Sequence, residues 1–138
     1  MTDRIDLSTL DSRKAAEAGT QLALKHPVTG LPLEGWALTV IGYDAARYQA
    51  MSEEHQRRRF DRLAQSKRLT VEELRADSLE LAAVLVSGWP PTFDLDGQPF
   101  PYSESNAVKL MHRFPWIREQ VERFASDRGN FIKGSASS

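Results

Sequence analysis

The three histidines are the residues best suited to catalysis or metal binding, because an imidazole exchanges a proton near neutral pH and is a common metal ligand. His26 lies in a predicted turn, His55 in a charged helical segment and His112 in a short helical segment. None has a second histidine or a carboxylate at a ligand spacing such as HxxxH or HExxH. Glu53 and Glu54 precede His55, but adjacent residues on a helix point in different directions. We interpret all three as surface or packing residues and expect no metal and no other cofactor.

The stretch DLDG (residues 94–97) resembles the start of a calcium-binding loop. An EF-hand needs a third oxygen ligand before its glycine and a glutamate near position 12. Here Gly97 comes too early and prolines follow. The stretch therefore predicts a type I turn or the tip of a hairpin.

The stretch SDRGNF (residues 126–131) brings polar and aromatic residues together near the end of the sequence. As a helix terminus, each of them has a structural role. Asp127 can pair with Arg123 at an i,i+4 spacing, and Gly129 can leave the helix through the αL conformation. Asn130 can cap exposed carbonyls, and Phe131 can fold back onto the last helix. We interpret the stretch as a helix stop and predict no catalytic residue in it.

Motifs for nucleophilic catalysis and phosphate binding are missing from the sequence. It contains no G-x-S-x-G, no phosphate-cradling glycine loop and no G-x-G-x-x-G. The basic run RRRF (residues 57–60) can contact phosphates, but acidic residues dilute it on the same helix. A net charge of −1 also argues against strong general affinity for nucleic acid. We predict that the protein is not an enzyme and does not bind nucleic acid.

Length and composition favour one soluble domain. The chain has 138 residues, 41% of them hydrophobic and 27% charged, as in ordinary globular domains. No apolar run approaches the roughly 18–20 residues that span a membrane, so we expect no membrane contact. The polar start of the sequence predicts no signal peptide, and the absence of cysteine fits a reducing cytoplasm.

Charge alternates in blocks along the chain. Residues 47–68 carry seven Arg or Lys against three acidic residues, and residues 69–104 carry seven acidic residues against one Arg. Residues 105–138 are basic again, with six Arg or Lys against three acidic residues. Such blocks suit intramolecular or head-to-tail pairing, but for most of these charges we favour solvated helix faces that merely differ in charge.

The first third of the chain predicts a small β element. Residues 1–18 have few large apolar side chains and suggest a loose arm or short helical turn ended by Gly19. Alternation from Thr20 to Lys25 has the period of a strand, and HPVTG then forms a turn. WALTVIG is rich in β-branched and aromatic residues and predicts a further strand. Residues 20–42 therefore predict an antiparallel hairpin or meander.

Two long helices are expected next. The first, residues 44–68, has Asp44 as its N-cap and only a narrow apolar face. The second begins at a capping box of Thr70 and Glu73, and Gly88 ends it. We expect this second helix to be the central core helix. Its apolar stripe comprises Val71, Leu74, Leu81 and Leu85.

A proline-rich loop and two shorter helices complete the pattern. WPPTFDLDGQPFPYS (residues 89–103) has four prolines and several aromatic residues, and we expect it to fold back on the core. Ser103 caps the next helix, and Pro115 opens the last one at its first position. The last helix has an apolar face of Ile117, Val121 and Phe124.

These elements predict an α+β fold: a small N-terminal antiparallel hairpin or meander followed by about four α-helices. We expect one domain over residues 1–134, with its β element at about 20–42 and its helical region at about 44–133. The final residues, 135–138, are predicted to be a disordered tail.

The order of the motifs resembles a known family. The HPVTG turn, the strand ending in GYD and the charged helix after it are similar to the opening of small tail proteins of long-tailed bacteriophages. The Trp after an apolar helix, the Gly-centred loop, the segment FPYSESNA and the Pro-initiated helix ending in DRGNF resemble the C-terminal half of phage tail assembly chaperones. The resemblance covers roughly residues 17–133.

The resemblance implies a non-enzymatic role. Such chaperones bind the very long tape measure protein, keep its hydrophobic helices soluble, and yield to tail-tube protein as the tube polymerises. It implies the host cytoplasm as the location, absence from the mature virion and possible self-association. The surfaces we expect to bind partners are the helix at 44–67 and the aromatic loop at 89–102. The candidate contact residues are Trp89, Phe93, Tyr102, Trp116 and Phe131.

Two other readings stay open. A structural virion component, such as a minor tail, neck or tail-terminator protein, would remain in the particle. For Phe93, Phe100 and Tyr102, plain packing in the core is as good an interpretation as partner contact.

Overall fold

The computed structural model describes residues 3–132, and the predicted α+β fold is confirmed there. Two strands near the start are followed by four α-helices, and one further α-helix precedes the strands. The predicted tail at 135–138 lies outside the described residues. The α-helices are α1 (Ser12–Ala18), α2 (Ala46–Ala64), α3 (Val71–Val84), α4 (Glu104–Arg113) and α5 (Pro115–Ser126). The strands are β1 (Thr20–Lys25), β2 (Pro32–Val40), β3 (Val86–Gly88), β4 (Asp94–Leu95) and β5 (Gln98–Pro99). Short 3₁₀ turns span Leu7–Leu10 and Arg128–Asn130.

The β1–β2 hairpin forms as the sequence predicts. Thr20 pairs with Val40 and the register holds to Ala23, and Gly30 takes a φ of 71° in the HPVTG turn. His26 has a local role there, because its Nδ1 accepts a hydrogen bond from the backbone N–H of Val28 at 3.1 Å. At the outer edge of β1, Gln120 of α5 bonds both the N–H and the carbonyl of Lys25, at 2.9 and 2.8 Å. This side-chain amide takes the place of a further strand at that point.

The core helix ends earlier than predicted. The helix α3 stops at Val84 rather than at Gly88, and Val86–Gly88 pairs with β2 as the third strand of the sheet, in the order β1-β2-β3. Val86 is fully buried, and the carbonyl of Leu85 accepts a hydrogen bond from Ile41 N–H at 2.8 Å. The β-branched Val86 thus gains a sheet partner that a helical continuation would lack.

The capping box at the start of α3 is confirmed. Thr70 Oγ1 accepts from Glu73 N–H, and Glu73 Oε1 accepts from Thr70 N–H, both at 3.1 Å. The predicted apolar stripe is only half right, because Val71 is 58% and Leu74 is 41% exposed. The helix reaches the core only in its second half, through Ala82, Ala83 and Leu85.

Asp44 does not cap α2. The N-cap is Ala45, with no side-chain hydrogen bond, and the N–H of Ala46 donates to Glu17 Oε1 at 3.2 Å. Asp44 instead accepts two hydrogen bonds from the Arg128 guanidinium, at 2.5 and 3.0 Å. This contact holds the pKa of the Asp44 carboxyl below its ordinary value of 3.8. A guanidinium that donates two hydrogen bonds stabilises a carboxylate more than a single backbone N–H group does.

The stretch SDRGNF stops a helix, but one predicted contact and one predicted backbone conformation are wrong. Asp127 does not pair with Arg123; its carboxylate accepts the N–H of Gly129 at 2.9 Å. Gly129 is not in the αL conformation, because a 3₁₀ turn follows α5 directly. Asn130 caps as predicted, donating to a carbonyl of α5 at 2.9 Å. Phe131 folds back and meets Phe124 edge-on, with 5.6 Å between ring centroids.

The connection between β2 and α2 (residues 41–45) joins distant parts of the chain. Three consecutive N–H groups, of Ile41, Gly42 and Tyr43, donate to three different elements. Their acceptors are the carbonyls of Leu85 at 2.8 Å, Ala16 at 3.2 Å and Ala125 at 3.2 Å. Gly42 also needs to be glycine, since a Cβ there would lie 2.9 Å from that of Ala16.

Candidate partner-binding surfaces

The predicted aromatic loop folds back on the core around Trp89. The Trp89 ring stacks on Phe100 at 5.3 Å, meets Tyr102 edge-on at 5.1 Å, and lies 6.1 Å from Phe93. Its indole Nε1 donates to the Phe100 carbonyl at 2.7 Å, and the Tyr102 hydroxyl donates to the Val86 carbonyl at 3.1 Å. Both polar aromatic groups are therefore satisfied, which fixes the loop in one conformation.

A tryptophan that the sequence analysis passed over extends this cluster to the surface. Trp36 of β2 remains 46% exposed, and its ring lies 6.5 Å from Phe93 and 6.2 Å from Trp116. We call Trp36, Phe93 and Trp116 the aromatic surface. The signal was present, because a period of two places Trp36 on the same face of β2 as the buried Leu38 and Val40.

A cavity of about 210 Å³ opens beside the aromatic surface. Trp36 and Phe93 form part of its wall, and Leu24, Leu110 and Ile117 line its interior. Small-molecule sites usually measure roughly 300–1,000 Å³. The cavity is therefore suited to one apolar side chain of a partner rather than to a free metabolite.

The structure brings some of the predicted contact residues together and separates others. Phe93 and Trp116 meet through Trp36, whereas Trp89 and Tyr102 are half-buried behind Phe93. Phe131 is only 8% exposed and packs on the far end of α5. Partner binding by these five residues stays a prediction.

The other predicted surface, α2, is joined to α3 by what we call the ion-pair ladder. It comprises two ion pairs, Arg58–Asp77 and Arg62–Glu73 at 2.6 Å, and a hydrogen-bonded pair, His55–Glu80, at 2.7 Å. Steps of three and four residues along both helices keep the ladder on one face of each. The pairs run in opposite directions along the two helices, so α2 and α3 form an antiparallel hairpin.

Two members of the ladder lie in the interior. His55 is 2% and Asp77 is 7% exposed. Among residues 3–132, His55 Nδ1 and Asp77 Oδ2 are buried without a hydrogen-bond partner. His55 is thus a packing residue, as the sequence suggested. The interface between α2 and α3 thus encloses polar side chains as well as apolar ones.

Among residues 3–132, four carboxyl groups have a pKa that local donors lower. Arg62 and the Thr70 N–H lower the pKa of Glu73, Arg113 lowers the pKa of Asp96, and Arg128 lowers that of Asp44. Asp6 has its pKa lowered by hydrogen bonds from Ser8. A carboxyl group whose pKa is lowered by folding stabilises the fold above its ordinary pKa, and that stabilisation is lost as pH falls through the folded value.

Stability is therefore expected to fall in acid. The urea midpoint should be nearly constant around neutral pH and decline below about pH 4.5, the ordinary pKa of a glutamate. Urea titrations at a series of pH values test this. Glu73→Gln keeps a capping-box side chain but no charge, so its decline should be shallower. An identical decline in wild type and variant would contradict a contribution from Glu73.

Two other kinds of feature are absent from residues 3–132. No set of three or more His, Cys, Asp or Glu side chains there is placed to hold a metal ion. No helix in the same part of the chain combines the length and apolar character needed to cross a membrane.

Residues 43–137 match the model of a family described as YdaY prophage protein. The chain belongs to the YdaY prophage protein family. The match begins within the connection between β2 and α2 and covers every α-helix after it. Membership of the YdaY family establishes a phage origin, as the resemblance implied. No curated protein and no solved structure is significantly similar to the chain.

Proposed function

We propose that this YdaY family member is a tail assembly chaperone that binds and solubilises the tape measure protein during tail morphogenesis. The aromatic surface is the observation that carries the proposal. It presents a half-exposed tryptophan, flanked by Phe93 and Trp116, beside an apolar cavity. The phage family and the order of sequence motifs supply the biological setting.

The chemistry of the aromatic surface fits an apolar helical partner. Tryptophan is among the side chains that contribute most to protein–protein affinity, especially where neighbouring groups exclude water. An apolar side chain of a tape measure helix can enter the cavity while its neighbours contact the Trp36 ring. The charged faces of α2 and α3 would keep such a complex soluble.

We also propose where the protein acts and the order in which it meets its partners. The protein acts in the host cytoplasm, without a cofactor and without catalysis, and gives up the tape measure to tail-tube protein. It is then absent from the finished particle. Mass spectrometry of purified virions tests this point, because a minor tail, neck or tail-terminator protein would be detected there.

Co-expression with the tape measure protein encoded by the same prophage is the decisive experiment. We expect the soluble fraction of the tape measure to rise several-fold with the wild-type chain, and much less with Trp36→Ser. Val28→Ser is the matched control, because Val28 is 87% exposed in the hairpin turn, outside the aromatic surface. A tape measure that is no more soluble with the wild-type chain than without it would contradict the proposal.

A further inference from the structure

The first described residues present apolar side chains to solvent although their backbone is ordered. We call residues 3–11 the arm. Asp6 accepts a hydrogen bond from Ser8 N–H at 3.0 Å, and Asp11 accepts from Arg13 N–H at 3.1 Å. These caps fix two successive turns, yet Ile5 and Leu7 are each 86% exposed and Leu10 is 66% exposed. Three exposed apolar side chains within six residues form a patch that suits contact with a partner.

A second apolar patch lies at the far end of the α2–α3 hairpin. We call residues 59–75 the tip. Its exposed apolar side chains are Phe60 at 73%, Leu63 at 59%, Val71 at 58% and Leu74 at 41%. They are the principal apolar side chains left exposed on the long helices, so the tip is distinct from the aromatic surface.

Helix geometry places Leu63 and Leu74 on the same side of the hairpin. Arg62 and Glu73 face each other across the interface, and each leucine follows one of them by a single residue. One residue turns a helix by about 100°. Because the two helices are antiparallel, these turns carry both leucines to the same side. Phe60 and Val71, each three residues earlier, extend the patch to either flank.

The arm and the tip have opposite charge. The arm carries Asp3, Asp6 and Asp11 against Arg4. At the tip, the charged side chains outside the ion-pair ladder are mainly basic: Arg59, Lys67, Arg68 and Arg75 against Asp61 and Glu72. An acidic segment with three apolar side chains therefore complements a basic surface with four.

Within one chain the arm does not cover the tip. The helix α1 is anchored at the start of α2, where Glu17 accepts the Ala46 N–H. The tip lies at the other end of α2, which is roughly 27 Å long for its 19 residues. The apolar side chains of the arm and of the tip are all exposed in the same structure. The arm of a molecule therefore does not cover the tip of that same molecule.

We propose that the arm of one copy docks on the tip of a second copy, in a head-to-tail contact. The pair then still has one free arm and one free tip, so the contact generates rings or open chains rather than a closed symmetric dimer. Because the arm has only nine residues, the interface would be small compared with those of stable complexes, which bury about 1,200–2,000 Å². Association is accordingly weak and depends on protein concentration and on salt.

Two complementary variants test the contact, with sedimentation velocity as the measurement. The arm variant is Ile5→Ser/Leu7→Ser/Leu10→Ser, and the tip variant is Phe60→Ser/Leu63→Ser/Leu74→Ser. The matched control is Val28→Ser/Leu31→Ser. Circular dichroism establishes that each is folded. The control replaces exposed side chains of the hairpin turn, 87% and 66% exposed, and should associate like wild type.

Wild type is expected to gain mass as its concentration rises, and each variant alone should associate at least tenfold more weakly. Mixing the two variants should restore one contact, giving a one-to-one dimer that does not grow further. A monomeric wild type, a mixture that stays monomeric, or full association of either variant alone would overturn the proposal. The inference does not rest on the chaperone function, because a monomeric variant with an intact aromatic surface can still solubilise the tape measure.

Discussion

Arg58→Ala is expected to lower the free energy of unfolding by about 2–3 kcal/mol, because it leaves a buried carboxylate without its cation. The Asp77 side chain is only 9% exposed and pairs with Arg58 across α2 and α3. The effect should be smaller than for a fully enclosed pair, since the Arg58 side chain is itself 43% exposed. Urea unfolding followed by circular dichroism measures it.

The adjacent residue Arg57 provides the matched control. It pairs with Glu54 on the solvent side of α2, and the two side chains are 68% and 57% exposed. Arg57→Ala should therefore change stability by less than about 0.5 kcal/mol. Adding Asp77→Asn to Arg58→Ala removes the orphaned charge and should restore part of the loss. Equal effects of the two arginine substitutions would contradict a structural role for the ladder.

Phe131→Ala should destabilise the fold by about 3 kcal/mol, as expected for truncating a buried phenylalanine. The ring packs edge-on against Phe124. It also lies 3.1 Å from the position that a Cβ at Gly42 would occupy. Thermal unfolding gives the measurement. Phe60→Ala truncates a phenylalanine that is 73% exposed and should lower the free energy of unfolding far less.

Phe131 was also a candidate partner contact, and a conservative variant separates the two roles. Phe131→Leu keeps most of the apolar volume and should retain most of the stability. If it also solubilises the tape measure as wild type does, the ring serves the core alone. Loss of solubilisation in a stable Phe131→Leu protein would support direct contact.

Local signals in the sequence predicted local structure well. The capping box at Thr70, the N-cap at Ser103, Pro115 at the start of α5 and the turn at HPVTG all form as expected. Each depends on residues within a few positions of one another, so its physical cause is contained in the pattern.

The errors concern contacts between residues far apart in the chain. Asp44 was assigned to a cap because its true partner, Arg128, is 84 residues away. The strand β3 was read as the end of a helix because the strand that receives it lies more than forty residues earlier. The aromatic surface likewise needs a residue from each of three segments. Such pairings depend on the tertiary fold, which overrides local preference.

The connection between β2 and α2 has a consequence for how the molecule can be divided. Its three N–H groups donate to one carbonyl before residues 43–137, which the family model matches, and to two carbonyls within them. If any of these elements opens, an N–H group in the interior loses its acceptor. We expect these three amides to exchange with deuterium only in whole-molecule unfolding. Residues 43–137, which the family model matches, lack β1 and β2, so as a separate fragment they should remain unfolded. The segment that the family model matches would then depend on β1 and β2 for its folding.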